Sequence, residues 1–169
     1  GEITRTITFF ADNFRGGVAL EAGDTKALGY DQVIVGAGET GGPRVLVLDL
    51  KTNSVLLSFF AGSSAGRGGV GSLDLADVFS GKGQNIIVGS GANLPPDVGV
   101  YNATTGQRIG SISVGAAGFD TNGVRARAGD MNTTTNVRPI FVAPRLAPAG
   151  TPETQFDPAG FMDPNNPTG

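Results

Sequence analysis

Gly16-Gly17-Val18, Ala22-Gly23-Asp24 and Val33-Ile34-Val35-Gly36 recur along this chain as Gly68-Gly69-Val70, Leu75-Ala76-Asp77 and Ile86-Ile87-Val88-Gly89. They return as Asn122-Gly123-Val124, Ala128-Gly129-Asp130 and Ile140-Phe141-Val142. Gly17 to Gly69 is 52 residues, Gly69 to Gly123 is 54, and Val35 to Val88 is 53, so the chain repeats at that period. Two further matches fall in step: Phe9-Phe10-Ala11 with Phe59-Phe60-Ala61, and Pro43-Arg44-Val45-Leu46-Val47 with Pro96-Asp97-Val98-Gly99-Val100. A fixed period of this length marks a repeat architecture in which one supersecondary unit is used several times.

Within each unit, short apolar runs are bounded by Gly, Pro, Asn or Asp, the pattern of turns joining antiparallel neighbours. Four strands fit the first unit, at 17–23, 32–36, 44–50 and 54–60, and four fit the second, at 69–76, 85–89, 98–102 and 107–114. The third unit holds two, at 123–129 and 137–143. Asp49 to Asn53 and Tyr101 to Gly106 supply the polar, left-handed-tolerant residues that hairpin tips need. A four-stranded antiparallel sheet repeated in tandem is the blade of a β-propeller. The expected fold is therefore all-β and propeller-like, with two complete blades and one incomplete. The repeat domain spans 11–143, preceded by an N-terminal strand at 1–10 and followed by a Pro-rich arm at 144–169.

The runs Gly16-Gly17-Val18, Ala22-Gly23-Asp24, Val33 to Gly38 and Gly41-Gly42-Pro43-Arg44-Val45 resemble the FG-GAP (VCBS-like) propeller repeat of exported bacterial proteins and integrin α subunits. The resemblance covers residues 9 to about 143 and is fullest in the first unit. It implies blades around an axis, an extracellular setting and roles in adhesion or ligand binding. It also implies a calcium loop of the form Asp-x-Asp/Asn-x-Asp-Gly-x-x-Asp between the first two strands. Calcium needs six or more oxygens with several carboxylates among them. Here the copies read Asp24 to Asp31 with Lys26 inside, Asp77 to Asn85 with Lys82 inside, and Asp130 to Asn136 with one acid. Asp24, Asp31, Asp77 and Asp130 are thus weak metal candidates, and the expectation is that the Asp heading each loop caps a turn and that no cofactor is held.

Composition narrows the function classes. The 169 residues include no Cys and no His, which removes disulfides, thiolate ligands, the commonest general base and the commonest transition-metal ligand. No catalytic residue is assigned, and the chain is not expected to be an enzyme. Ser63, Ser64 and Ser72 lack a base in sequence context. Gly36-Ala37-Gly38-Glu39-Thr40-Gly41 has dinucleotide-like spacing but sits between strands with no helix to follow. All twelve Lys and Arg and twelve of the fifteen acids lie in residues 1–145, so no basic stripe offers phosphate contacts and no nucleic-acid partner is expected. No apolar run reaches the length of a membrane span, so no membrane insertion is expected. The first residue is Gly1, consistent with a removed leader or a trimmed chain; with the composition it gives an expectation of secretion, extracellular or at the cell surface. Asn102-Ala103-Thr104 and Asn132-Thr133-Thr134 are glycosylation sequons on expected turns, so Asn102 and Asn132 are candidate glycan carriers.

The ends carry the functional expectation. In a strand over residues 3–10, Ile3, Arg5, Ile7 and Phe9 share one face. Seven of the ten prolines lie from Pro139 onward, which favours an extended arm over a further sheet. An unfilled third blade leaves open edges, and edges are templates for pairing. The expectation is a structural homo-oligomer in which Ile3, Arg5, Ile7 and Phe9 of one subunit complete the third blade of the next. Repeated head to tail, this strand complementation builds an extracellular helical filament or surface layer. The alternative is an extracellular adhesion or carbohydrate-binding module using loops 61–68, 91–97 and 115–122, with no Trp and only Tyr30 and Tyr101 to stack on sugars.

Overall fold

The computed structural model describes residues 6–62, 66–79, 83–114, 123–129 and 138–144. All regular structure among them is β. The first unit holds β1 (Val18–Gly23), β2 (Gln32–Ala37), β3 (Arg44–Asp49) and β4 (Ser54–Phe60); the second holds β5 (Val70–Ala76), β6 (Asn85–Ser90), β7 (Asp97–Asn102) and β8 (Arg108–Ser113). Each is a four-stranded antiparallel meander in chain order. β9 (Val124–Ala128) and β10 (Ile140–Pro144) form a two-stranded antiparallel sheet. The ten strands expected within the three units are found within a few residues of their expected ends. One domain boundary moves: Pro144, expected to open the C-terminal arm, closes β10 opposite Val124. Residues 145–169 lie outside the described residues.

The same side chains close the same turns in both full units. Asp49 Oδ1 accepts the N–H groups of Lys51 and Thr52 at 2.8 and 3.3 Å, and Asn102 Oδ1 accepts those of Thr104 and Thr105, both at 2.9 Å. These bonds fold the β3–β4 and β7–β8 tips, with Asn53 (φ 57°) and Gly106 (φ 72°) in the left-handed region. Buried Gln32 and Asn85 anchor the loops before β2 and β6: Gln32 Oε1 accepts Thr25 N–H at 2.7 Å and Asn85 Oδ1 accepts Val78 N–H at 3.2 Å. A register shift falls between Val47 and Leu48 and, 53 residues on, between Val100 and Tyr101. Register also fixes the repeat positions: Leu20, Leu73 and Ala126 lie opposite Val35, Val88 and Val142.

The sheets stack face on face. Ile34, Val45 and Val47 of the first sheet bury Leu73, Ile86, Val88 and Tyr101 of the second, with Phe59 against the Tyr101 ring at 4.9 Å. The other face of the second sheet, through Ala76, Ile87, Val98 and Val100, packs on Val124 and Ala126 of the third. The first strands of the units lie side by side, β1 with β5 and β5 with β9. Apolar alternation on both faces of each full unit produces this arrangement, because a sheet apolar on both sides must be covered on both.

The expected N-terminal strand is not present over its described part. Residues 6–9 carry no regular structure, and Phe9 and Phe10 pack on Val35, Leu46 and Leu48, on the face of the first sheet that points away from the second. Phe14 turns back toward Ala11 and packs edge-on to Phe10 at 5.3 Å. Residues 6–14 thus form a strap held by aromatic burial against its own sheet, a stronger local pull than strand propensity without a partner edge. Ile3 and Arg5 lie outside the described residues.

Candidate functional site

Asp24 and Asp77 are turn caps. Asp24 Oδ1 accepts Leu28 N–H and its Oδ2 accepts Gly29 N–H, both at 2.8 Å, and Asp77 Oδ1 accepts Phe79 N–H at 3.3 Å. The bond from Leu28 is the main cause that holds the Asp24 carboxyl below the ordinary range, against a desolvation that works the other way. Asp31 is exposed at the end of its loop. Among the described residues no three His, Cys, Asp or Glu side chains gather as a metal set. Asp130, Asn132, Ser63 and Ser64 lie outside the described residues. Ser72 is buried and acts between sheets: its Oγ donates to Val124 O at 3.3 Å and accepts Ala126 N–H at 2.9 Å. At the sequon, Asn102 Oδ1 is held by its turn, and Thr104 Oγ1 donates to Thr25 O of the first unit at 3.4 Å.

Both tyrosines are engaged. Tyr101 is in the core. Tyr30 donates its hydroxyl to Asp49 Oδ2 at 2.9 Å, with Lys51 Nζ 3.5 Å from its ring centroid. Burial works to raise the Asp49 pKa, but bonds from Thr52, Tyr30 and Lys51 outweigh it and hold the carboxyl below its ordinary value, while the same carboxylate pushes the Tyr30 phenol up.

The chemistry of this molecule lies in its faces. Of eight exposed large apolar side chains among the described residues, four are Val18, Leu20, Val55 and Phe60. They share one face of the first sheet at its two edges: Val18 and Leu20 on β1, opposite Ala37 and Val35, and Val55 and Phe60 on β4, opposite Leu48 and Arg44. This is the face away from the second sheet. Its middle lies under Phe9 and Phe10, and its two outer strands are open. Ile7 and Phe9 line a cleft of about 400 Å³ with Leu46, Leu48, Asn53 and Val55 at the outer edge. So Ile7 and Phe9, expected to reach another subunit, lie on their own sheet.

Sequence reading misses a second feature, a row of charges on the first strands. Arg127 Nη1 lies 3.5 Å from Glu21 Oε2 and 3.7 Å from Asp74 Oδ1, and also donates to Leu73 O. These residues are 53 apart in sequence, one from each unit at the same repeat position, and the period itself was the signal that could have found them. Comparison with models of protein families, with curated proteins and with solved structures finds no match to this chain.

Proposed function

We propose that this chain is a structural subunit of the extracellular kind, a propeller-like repeat module of the FG-GAP type that assembles with copies of itself through the open face of its first sheet. One observation carries the reading. Leu20 and Leu73 occupy the same repeat position, and Leu73 is 1% exposed beneath the first sheet while Leu20 is 56% exposed. A residue selected by the repeat for burial between sheets is left bare only where a further sheet belongs, and apolar sheet faces of this kind mark interaction sites. Face stacking replaces strand donation as the means of contact, because residues 6–10 are engaged on their own sheet. A carbohydrate-binding role has less behind it: Tyr101 is buried in the core and Lys51 lies over the ring of Tyr30.

Sedimentation velocity over a wide concentration range tests this. Association is expected to rise with concentration and to be lost in Leu20→Asp, which keeps the strand but places a carboxylate on the face. A wild-type chain that stays monomeric throughout would sink the proposal.

A further inference from the structure

The joint between the first and second sheets can be laid over the joint between the second and third, residue for residue. Val45 pairs with Phe59 and, 53 residues on, Val98 pairs with Ile112. Phe59 is half-buried, because Tyr101 of β7, the third strand of the next sheet, lies over it with ring centroids 4.9 Å apart. Ile112 is 39% exposed, and Phe79 on the same face is 41% exposed. A Cβ at Gly110, which pairs with Val100 two residues from Val98, would meet the Phe79 ring at 3.6 Å. The repeat position is the same and the strand across it differs. Among the described residues the third sheet sets β9 and β10 against that face and no counterpart of β7.

The outer edge of β10 has the hydrogen-bonding phase that such a strand needs. Gly129 N–H donates to Pro139 O at 3.0 Å, and alternation along an antiparallel ladder then commits Phe141 and Ala143 to β9 and turns the N–H and C=O groups of Ile140 and Val142 outward. In the second sheet, the bond from Ala103 N–H to Gln84 O at 3.3 Å sets the same phase, and there Ile86 and Val88 bond to β7. Register equates Ile140 with Ile86 and Val142 with Val88, and Ile86 stands opposite Tyr101. Edge groups and apolar floor are therefore spaced as they are in the joint that β7 fills. Pro139 and Pro144 give the ladder no N–H, so the edge is short and the floor must supply much of the affinity.

We infer that the outer edge of β10 and the adjoining face of the second sheet bind an extended segment of another protein, which adds antiparallel to β10 with an aromatic side chain opposite Ile140, over Ile112 and Phe79. Tyr101, opposite Ile86 and over Phe59, specifies that side chain. The inward side chains of the segment are uncharged, because the floor is Phe79, Gly110, Ile112, Ile140 and Val142. Strand addition takes affinity from main-chain bonds and specificity from pockets for alternate side chains. The described residues of this chain hold no spare segment of that kind: all ten strands are paired in their own sheets, and Phe9 and Phe10 lie on the first. The site stands apart from the open face of the first sheet and holds whether or not the chain assembles through that face.

Fluorescence anisotropy on the full chain tests this, with a labelled peptide of the sequence Pro96–Ala103, the β7 strand itself, as the probe. Saturable binding is expected. Tyr101→Ser in the peptide, or Ile112→Asp in the chain, should weaken it by about tenfold or more, the scale of one apolar side chain. Ile112→Asp alters an exposed position, and circular dichroism checks that the variant is folded. Leu20→Asp should leave binding unchanged. Amide exchange read residue by residue should show Ile140 and Val142 fast in the free chain and slowed by the peptide. No saturable binding, binding indifferent to both the Tyr101 and Ile112 changes, or binding lost in Leu20→Asp overturns the site. Slow exchange of Ile140 and Val142 without peptide overturns the outside partner: the chain then fills the position itself or, where protection grows with concentration, a second copy does.

Discussion

The first and second units share a strand order, a bulge position and the polar anchors of their turns, yet their outer faces meet different fates. The second sheet has a sheet on either side. The first has a sheet on one side and, on the other, a strap that covers Val35, Leu46 and Leu48 but leaves Val18, Leu20, Val55 and Phe60 bare. Identical local sequence logic therefore yields a core residue at Leu73 and a surface residue at Leu20. Burial here is a property of place in the stack, and the energetic weight of a repeat position cannot be read from the position alone.

Mutation at this pair is the largest expected contrast. Leu73→Ala should cost about 2–5 kcal/mol of unfolding free energy, because it opens a cavity between two sheets. Leu20→Ala should fall within about 0.5 kcal/mol for the isolated subunit. Equal losses in urea titrations would mean that Leu20 is covered in solution at the concentrations used.

Glycine at the interface sharpens the same comparison. Gly36→Ala puts a methyl against Val70 and Leu73, and overpacking of this kind should cost about 1–3 kcal/mol. Ala143→Gly, at the equivalent position of the third sheet, should change stability by less than about 1 kcal/mol, the intrinsic cost of glycine in a strand. Thermal melts of the two variants side by side give the answer.

Strap removal comes next. Phe9→Ser with Phe10→Ser should lower stability by about 1–2 kcal/mol, since both rings are only partly buried. It should also strengthen self-association, because the middle of the first sheet's face is uncovered. Had residues 6–10 been a strand donated to a neighbour, the same change would weaken association; that result would return the strap to its role as donor.

The smallest effect concerns the hairpin tips, where Asp49 and Asn102 do equivalent work with and without a charge. A carboxyl whose folded pKa is lowered contributes stability that is complete above its unfolded value, about 3.9, and is lost as pH falls through the folded value. Asp24 acts in the same direction. The wild type should therefore weaken as pH drops below about 4. Asp49→Asn should show a shallower acid limb, since an amide at this position caps the turn as Asn102 does. An unchanged limb in guanidinium melts below about pH 4 would assign the acid sensitivity to other groups.

Strand positions, hairpin tips and the repetition of the unit were legible in the amino-acid sequence because each rests on local rules: β-branched runs, turn-forming Asp, Asn and Gly, and a period near 53 residues. The turn-capping role of Asp24 and Asp77 was legible for the same reason, as each bonds to a backbone within five residues of itself. What only tertiary structure decided are the relations between units. The fate of residues 6–14 depended on whether Phe9 and Phe10 found an apolar face nearer than another subunit, and Val35, Leu46 and Leu48 supplied it. The meeting of Glu21, Asp74 and Arg127 depended on three first strands lying side by side, and the contrast between Leu20 and Leu73 on which faces the stack leaves at its ends. Periodicity states what each unit is and leaves open what it touches, because side-chain alternation fixes the face of a strand but not the neighbour across it.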